Sequence, residues 1–427
     1  MKLLLFGAGA SIPFFKQPLT TPYITNEVMN KRIWETVLNE YWKISNEHIA
    51  TPHQITKLIK TIKSNFYNSN FEDICEVLDK LALLNWPFDY EDKVVFKETI
   101  HSIIKCKVLK NGNKRNYYSY IIPFLYRCVI LSIFLNAENN HSQTYKKMIN
   151  KQMEFIKNYT KTDTKSSIVS LNYDDNLYQS IRKFFNTGFI EDEKFNNRNL
   201  FSVNEYFKAN KTICFLHGNI RFWGYRFMNN TIESLSNRIQ NIYNLKDEYT
   251  PYNSFSKSFN ITLTTGRDKE LTFNEHPYSA YYTKLAVDIL DSEEIIIVGY
   301  SFNDEHINRL LKNFWSKNRI KRIIIVDKIE GLIDSNHPEN LNGVIDKIEQ
   351  VFSTSLNYDN KEEFDKVNTE GYGYLFPKIL FYKNGYESFL NECDNVISCF
   401  DDTIYSNLYK QTYEKDYFYI FNYYFDL

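Results

Sequence analysis

"KLLLFGAGAS" (residues 2–11) is the stretch on which the fold of this chain turns. Leu3-Leu4-Leu5-Phe6 runs without polar alternation into Gly7-Ala8-Gly9-Ala10-Ser11. A continuous apolar run of this kind marks a strand buried on both faces, as in a parallel sheet. The glycines turn the chain sharply and leave backbone N–H groups exposed. The stretch therefore reads either as a phosphate-cradling turn or as a tight turn with no ligand. The full dinucleotide fingerprint needs a third glycine, and position 12 is Ile.

Similar runs recur at "SIVSL" (167–171), "TICFL" (212–216), "ITLTT" (261–265), "EIIIVG" (294–299) and "RIIIVD" (322–327). Most end in small, polar or ionisable residues, where an open α/β sheet places its ligands. Helical segments lie between them: "YYTKLAVDIL" precedes the fifth run and "NDEHINRLLKNFW" follows it, with Asn303 or Asp304 as N-cap. The expected fold is α/β, a Rossmann-like open parallel sheet of about six strands. Residues 20–160 read as a large helical insertion. Within it, 70–84 puts Phe71, Ile74, Leu78 and Leu81 on one face behind an Asn70 cap, and 94–109, 114–136 and 141–160 are further helices. After Asp327 the pattern weakens. The expected organisation is a nucleotide-binding domain over 1–330 and an α+β, aromatic-rich C-terminal appendage over 331–427. The appendage ends in "KDYFYIFNYYFDL", a candidate assembly or partner surface.

The 427 residues are 43% hydrophobic and 24% charged, enough to bury a large core, and the net charge is −1. That balance carries no electrostatic footprint for nucleic acid as a direct ligand. The six cysteines form no CxxC pair and no His pair has zinc-ligand spacing, so no metal and a reducing, cytoplasmic setting are expected. "MKLLLF" is too short for a signal-peptide core. "IIPFLYRCVILSIFL" (121–135) contains Arg127 and falls short of the roughly 18–20 residues of a span. It reads as a buried helix, and no membrane partner is expected.

Three further stretches carry chemistry. In "SLNYDDNLYQSI" (170–181) a strand ends at Asn172, whose amide can orient sugar hydroxyls. Asp174 or Asp175 serves a ligand or simply caps the following helix. "CFLHGNI" (214–220) delivers His217 and Gly218 straight off an apolar strand, a position suited to a general base or to an ordinary core histidine. "IIIVGYSFNDEHI" (295–307) offers Gly299, Tyr300 and Ser301 to a phosphate or ribose, with Asp304 heading the next helix. Asp327, ending the last run, suits a ribose hydroxyl.

In order, GAGAS, strand-Asn-Tyr-Asp, strand-Leu-His-Gly and strand-Gly-Tyr-Ser-x-x-Asp resemble the sirtuin-like family, above all its bacterial branch used in defence against phages. The resemblance covers roughly residues 1–330. It implies NAD+ as substrate, with Gly7, Ala8, Gly9, Ala10 and Ser11 on the pyrophosphate and Asn172 on the nicotinamide ribose. It further implies His217 acting on a ribose hydroxyl or an attacking water and Gly299 and Ser301 holding the adenosine half, with Tyr300, Asp174 and Asp304 as further cofactor-binding candidates. Asp327 would meet its ribose by position alone. The implied activity is an NAD+ glycohydrolase that depletes NAD+ in anti-phage defence. It would be regulated through a homo-oligomer, a HerA-like ATPase or other defence partner, or a phage-derived activator. The four-cysteine zinc module of deacylating sirtuins is absent, as is their Gly-Ile-Pro-x-Phe-Arg run, replaced by "SIPFFK". A sensor of NAD or ADP-ribose-type nucleotides, or an NAD-dependent deacylase or ADP-ribosyltransferase, are the alternatives. Whether Asp174, Asp304 or Glu72, the last in "NFEDI", touches ligand stays open.

Overall fold

The computed structural model describes residues 1–17, 19–45, 51–65, 69–84, 115–138, 141–192, 195–225, 230–234, 259–261, 276–315, 322–330, 343–354, 361–376 and 378–399. The elements begin with β1 (Lys2–Phe6), a 3-10 helix (Ala8–Phe14), α1 (Thr21–Glu27), α2 (Lys31–Ser45), α3 (Pro52–Asn65), α4 (Phe71–Leu84), α5 (Arg115–Glu138) and α6 (Tyr145–Tyr159). There follow β2 (Ser166–Ser170), α7 (Asn176–Ile181), β3 (Phe189–Asp192), β4 (Phe195–Phe201), α8 (Val203–Lys208), β5 (Lys211–Phe215), β6 (Phe222–Tyr225), β7 (Asn230–Ser234) and β8 (Phe259–Ile261). The last are α9 (Tyr278–Asp291), β9 (Glu294–Val298), α10 (Glu305–Trp315), β10 (Arg322–Val326), α11 (Val344–Phe352), α12 (Lys361–Thr369), β11 (Tyr372–Phe376), β12 (Ile379–Tyr382) and α13 (Gly385–Ser398).

The apolar runs do form a mostly parallel sheet, in the order β11-β12-β10-β9-β1-β2-β5. β1 lies parallel to β9, with Lys2 opposite Glu294 and Phe6 opposite Val298. β9 lies parallel to β10, and β10 to β12, while β11 closes that edge antiparallel. Leu3–Phe6, Ile295–Val298 and Ile323–Val326 are each at most 1% exposed, which is why these strands tolerate no polar alternation. The chain is thus α/β and Rossmann-like, with seven strands rather than about six. The difference has two sources. The run at 261–265 does not join this sheet: Ile261 ends β8, which pairs antiparallel with β6, and 262–265 lie outside the described residues. Conversely, β12 and β11 come from the stretch expected as an appendage and extend the parallel sheet beyond β10.

The chain divides into two compact units, Met1–Pro13 with Lys146–Val169 and Leu285–Leu427, and Phe14–Tyr145 with Ser170–Lys284. In the first unit α6 and α13 are joined by a hydrogen bond from Tyr386 to Gln152 Oε1 (3.0 Å) and by the edge of Phe155 on Phe389 (5.3 Å). Phe6 of β1 packs edge-on against Tyr386, and Tyr382 of β12 against Phe389. In the second unit α1–α5 form a helical cluster around Trp34 and Tyr126, whose hydroxyl donates to the Phe71 carbonyl (2.9 Å). A second sheet, antiparallel and of five strands, runs β3-β4-β7-β6-β8.

The expected Asn70 cap is present: its Oδ1 accepts the N–H groups of Glu72 (2.7 Å) and Asp73 (3.1 Å), while Asp73 reaches back to the Asn70 N–H. α5 buries Leu125, Tyr126, Cys128–Leu131, Ile133 and Phe134, as a core helix does. No described helix is long and apolar enough to cross a membrane. The helix expected at 94–109 and the aromatic tail lie outside the described residues.

Candidate functional site

In the first unit the carboxyl ends of three adjacent strands carry expected ligand residues: Gly7–Ser11 after β1, Gly299–Asp304 after β9 and Asp327 after β10. The strand order reverses at β1, with β9 and β10 on one side and β2 and β5 on the other. Such a reversal is where open α/β sheets bind ligands.

The glycines here have a first duty to one another. A Cβ on Gly7 would lie 2.5 Å from the Gly299 carbonyl oxygen, and one on Gly9 would lie 2.8 Å from the Gly299 Cα. Gly299 itself has φ +57, and its Cβ would meet the Ala10 nitrogen at 2.3 Å. Two backbones thus touch where any side chain would part them. That contact also consumes amides expected to face a ligand. Gly7 N–H goes to Val298 O (2.8 Å), Gly9 N–H to Gly299 O (2.9 Å) and Ala10 N–H to Gly7 O (3.0 Å). Ala8 stays exposed and Ser11 is buried.

After β9 the side chains divide between scaffold and solvent. Tyr300 is buried, its hydroxyl 2.8 Å from Asn308 Oδ1 and 3.0 Å from the Asp304 carbonyl, and burial pushes the phenol far above its usual range. Asp304 Oδ1 accepts the N–H groups of His306 (3.0 Å) and Ile307 (3.4 Å), which is the N-cap role. Phe302 has φ +55 and is held there by Asn308 Nδ2 on its carbonyl (2.8 Å). Ser301 is exposed. Asp327 is half-buried: desolvation raises its carboxyl above the ordinary value, and the Lys328 N–H (2.8 Å) opposes that rise.

The second unit assembles the other candidates. The Leu216 N–H bonds the Ser170 carbonyl (3.0 Å) and the Ile220 N–H the Tyr173 carbonyl (2.9 Å), so the segments leaving β2 and β5 run side by side. Asn172 and His217 are 8% and 7% exposed, both on these segments. Beside them stands Tyr173, its ring 6.0 Å from the His217 ring and edge-on to Phe71 and Phe134. Its hydroxyl donates to Glu72 Oε1 (2.8 Å). Glu72 thus touches a protein group on the strand end, carried there by the first turn of α4.

The two aspartates take different jobs. Asp174 Oδ1 accepts the Asn176 N–H (3.1 Å) and its carbonyl accepts Asn219 Nδ2 (2.9 Å). Asp175 Oδ2 accepts from Arg221 Nε (2.9 Å) and Nη2 (2.5 Å) and from Gln179 Nε2 (2.8 Å). Asp175 and Arg221 are 2% and 5% exposed, and the guanidinium lies over the Tyr178 ring at 4.8 Å. Sequence reasoning missed Arg221 and Asn219. The one available signal was that both stand within three residues of the His-Gly turn in "LHGNIR" (216–221).

No curated protein matches this chain. Residues 166–342, which run from β2 through β10 and contain Asn172, His217, Gly299, Ser301 and Asp327, match the family model of the SIR2-like domain.

Proposed function

We propose that this chain is an NAD+ glycohydrolase, cleaving the nicotinamide–ribose bond to give nicotinamide and ADP-ribose, and that it serves as a regulated cytoplasmic effector of bacterial anti-phage defence by NAD+ depletion. The observation that carries the reading is the side-by-side exit of β2 and β5, which buries Asn172 and His217 around Tyr173 within a region matching a SIR2-like domain. Each unit offers donors of the kinds a dinucleotide needs: in the first, the Ala8 amide and Ser301 hydroxyl suit phosphate oxygens and the Asp327 carboxylate suits a ribose diol, and in the second, the Asn172 amide and the His217 imidazole suit a ribose.

In this mechanism the Asn172 amide orients the nicotinamide ribose. His217 takes the proton of an attacking water as the new bond to C1′ forms. The C1′–N bond breaks with its electron pair going to the pyridinium nitrogen, so nicotinamide leaves neutral without a general acid. Charge builds on the ribose as in other glycosidic cleavages, and burial of both side chains keeps competing water away. Gly7, Gly9, Gly299, Tyr300 and Asp304 act by holding the turn and loop that present Ala8 and Ser301. Asp174 acts by setting the backbone after Asn172. Because unregulated NAD+ loss is toxic, activity is expected to depend on homo-oligomerisation, a HerA-like ATPase or other defence partner, or a phage-derived activator.

The test incubates the full chain with NAD+, alone and with candidate activators, and follows nicotinamide and ADP-ribose. Release is expected from the wild type and a loss of about 100- to 10,000-fold in His217→Ala, with a comparable loss in Asn172→Ala. Release undiminished in both variants overturns the site. Tight NAD+ binding without release under any condition makes the chain a sensor instead.

A further inference from the structure

Beyond the SIR2-like match, which ends at residue 342, the chain forms α11, and this helix reaches back to the loop after β9. It does so twice. Phe352, fully buried, meets the Phe302 ring at 6.1 Å with the rings at 80°. One helical face away, Lys347 Nζ lies 2.5 Å from Asn303 Oδ1 and 3.5 Å from the Ser301 carbonyl. Asn303 Nδ2 in turn donates to Ser301 Oγ at 3.0 Å.

The direction of this chain of bonds is not arbitrary. An ammonium only donates, so the Asn303 oxygen must face Lys347 and its NH2 must face Ser301. The Ser301 oxygen is then already an acceptor, and its own hydrogen is left to donate outward. Each bond polarises the next, which strengthens the Ser301 hydroxyl as a donor. A serine held in this way favours a ligand that presents an acceptor, above all a negatively charged phosphate oxygen.

We propose that Lys347 is a positioning residue for Ser301: through Asn303 it fixes the Ser301 hydroxyl as a donor to the ADP portion of the dinucleotide. This rests on the NAD+ reading and deepens it. The specificity of the site for the phosphorylated half of its substrate then depends on a helix that the SIR2-like region does not include.

The experiment compares wild type, Lys347→Met, Lys347→Arg, Ser301→Ala and the double variant Lys347→Met/Ser301→Ala in the full chain. It measures KM and kcat for NAD+ and, by calorimetry, the Kd for ADP-ribose, with thermal midpoints alongside. Loss of a charge-assisted bond predicts a rise in Kd and KM of about tenfold in Lys347→Met with kcat within about twofold. Lys347→Arg is expected to recover most of that loss, and the double variant to bind no more weakly than Ser301→Ala. Wild-type affinity in Lys347→Met, an additive double variant, or a fall in kcat with KM unchanged each overturns the proposal. A wild-type chain that binds neither NAD+ nor ADP-ribose overturns the NAD+ reading and this proposal with it, whereas normal wild-type binding with an indifferent Lys347→Met overturns this proposal alone.

Discussion

Gly299→Ala isolates the contact that shapes the turn after β1. At φ +57 an alanine costs about 1–2 kcal/mol for the left-handed backbone alone. Its methyl would also lie 2.3 Å from the Ala10 nitrogen, 2.5 Å from the Gly9 carbonyl carbon and 2.6 Å from the Gly9 Cα. All three are backbone atoms in a turn held by the Gly9 N–H···O=C Gly299 bond, so no side chain can swing aside. Forcing that gap adds about 1–3 kcal/mol of overpacking. The expected total is about 2–5 kcal/mol, an apparent midpoint drop of roughly 5–15 °C for a unit of this size. Gly343→Ala is the control. Gly343 has φ +66, but its Cβ would meet nothing within 4 Å, so only the backbone cost of about 1–2 kcal/mol remains. Urea and thermal unfolding of the two variants read the difference directly. Equal losses, within about 0.5 kcal/mol, would show that the backbone approach is not what reserves position 299 for glycine.

Three other perturbations follow from the same structure. Arg221→Met leaves the buried Asp175 carboxylate without its countercharge and should cost about 3–5 kcal/mol, whereas Asp175→Leu combined with Arg221→Met should recover most of it; a double-mutant cycle by urea unfolding measures the coupling, and additive losses refute it. Tyr173→Phe keeps the ring between Phe71, Phe134 and His217 but removes the bond to Glu72, so under the proposed function NAD+ turnover should fall several-fold with KM little changed; Glu72→Gln, which still accepts, should fall less, and the opposite ranking in the kinetic assay would sink the role of Glu72. At Asp327 desolvation raises the folded-state pKa, so the native chain keeps its proton to higher pH than the unfolded chain, and stability is lost as pH rises from the unfolded value through the folded one. Asp327→Asn should flatten that part of the pH–midpoint curve and raise the neutral-pH midpoint while weakening NAD+ binding, whereas a lower midpoint at neutral pH would contradict the desolvation argument.

Local chemistry made much of this protein legible from its residues. A strand buried on both faces has to be apolar throughout, so Leu3–Phe6, Ile295–Val298 and Ile323–Val326 announce themselves without knowledge of their neighbours. Helix caps are equally local, which is why Asn70 could be read within a four-residue window and the second cap narrowed to Asn303 or Asp304, of which the structure uses Asp304. The weak points were short runs in ambiguous company. "ILFY" (379–382) stands among aromatics and Gly/Pro-rich turns, and only pairing with β10 reveals it as a sheet strand. "ITLTT" has the β-branched character of a strand, but nothing in its residues says that Ile261 pairs antiparallel with β6 in a different sheet.

At the site, the residue types at strand ends are legible in the chain order, which places Gly7, Asn172, His217, Gly299 and Asp327 directly after apolar runs. It could not assign what those residues do, since their partners are distant in the chain. Gly299 is a glycine because Gly7 and Gly9 press on it, Tyr173 is held by Glu72, and Asp175 answers Arg221 instead of capping its helix. Lys347 reaches Asn303 from a helix with no motif of its own. Hydrophobic periodicity and capping act over a few residues and so leave a trace in local sequence. Backbone contact, ion pairing and hydrogen-bond direction depend on which atoms meet in three dimensions, and only the tertiary structure decides that.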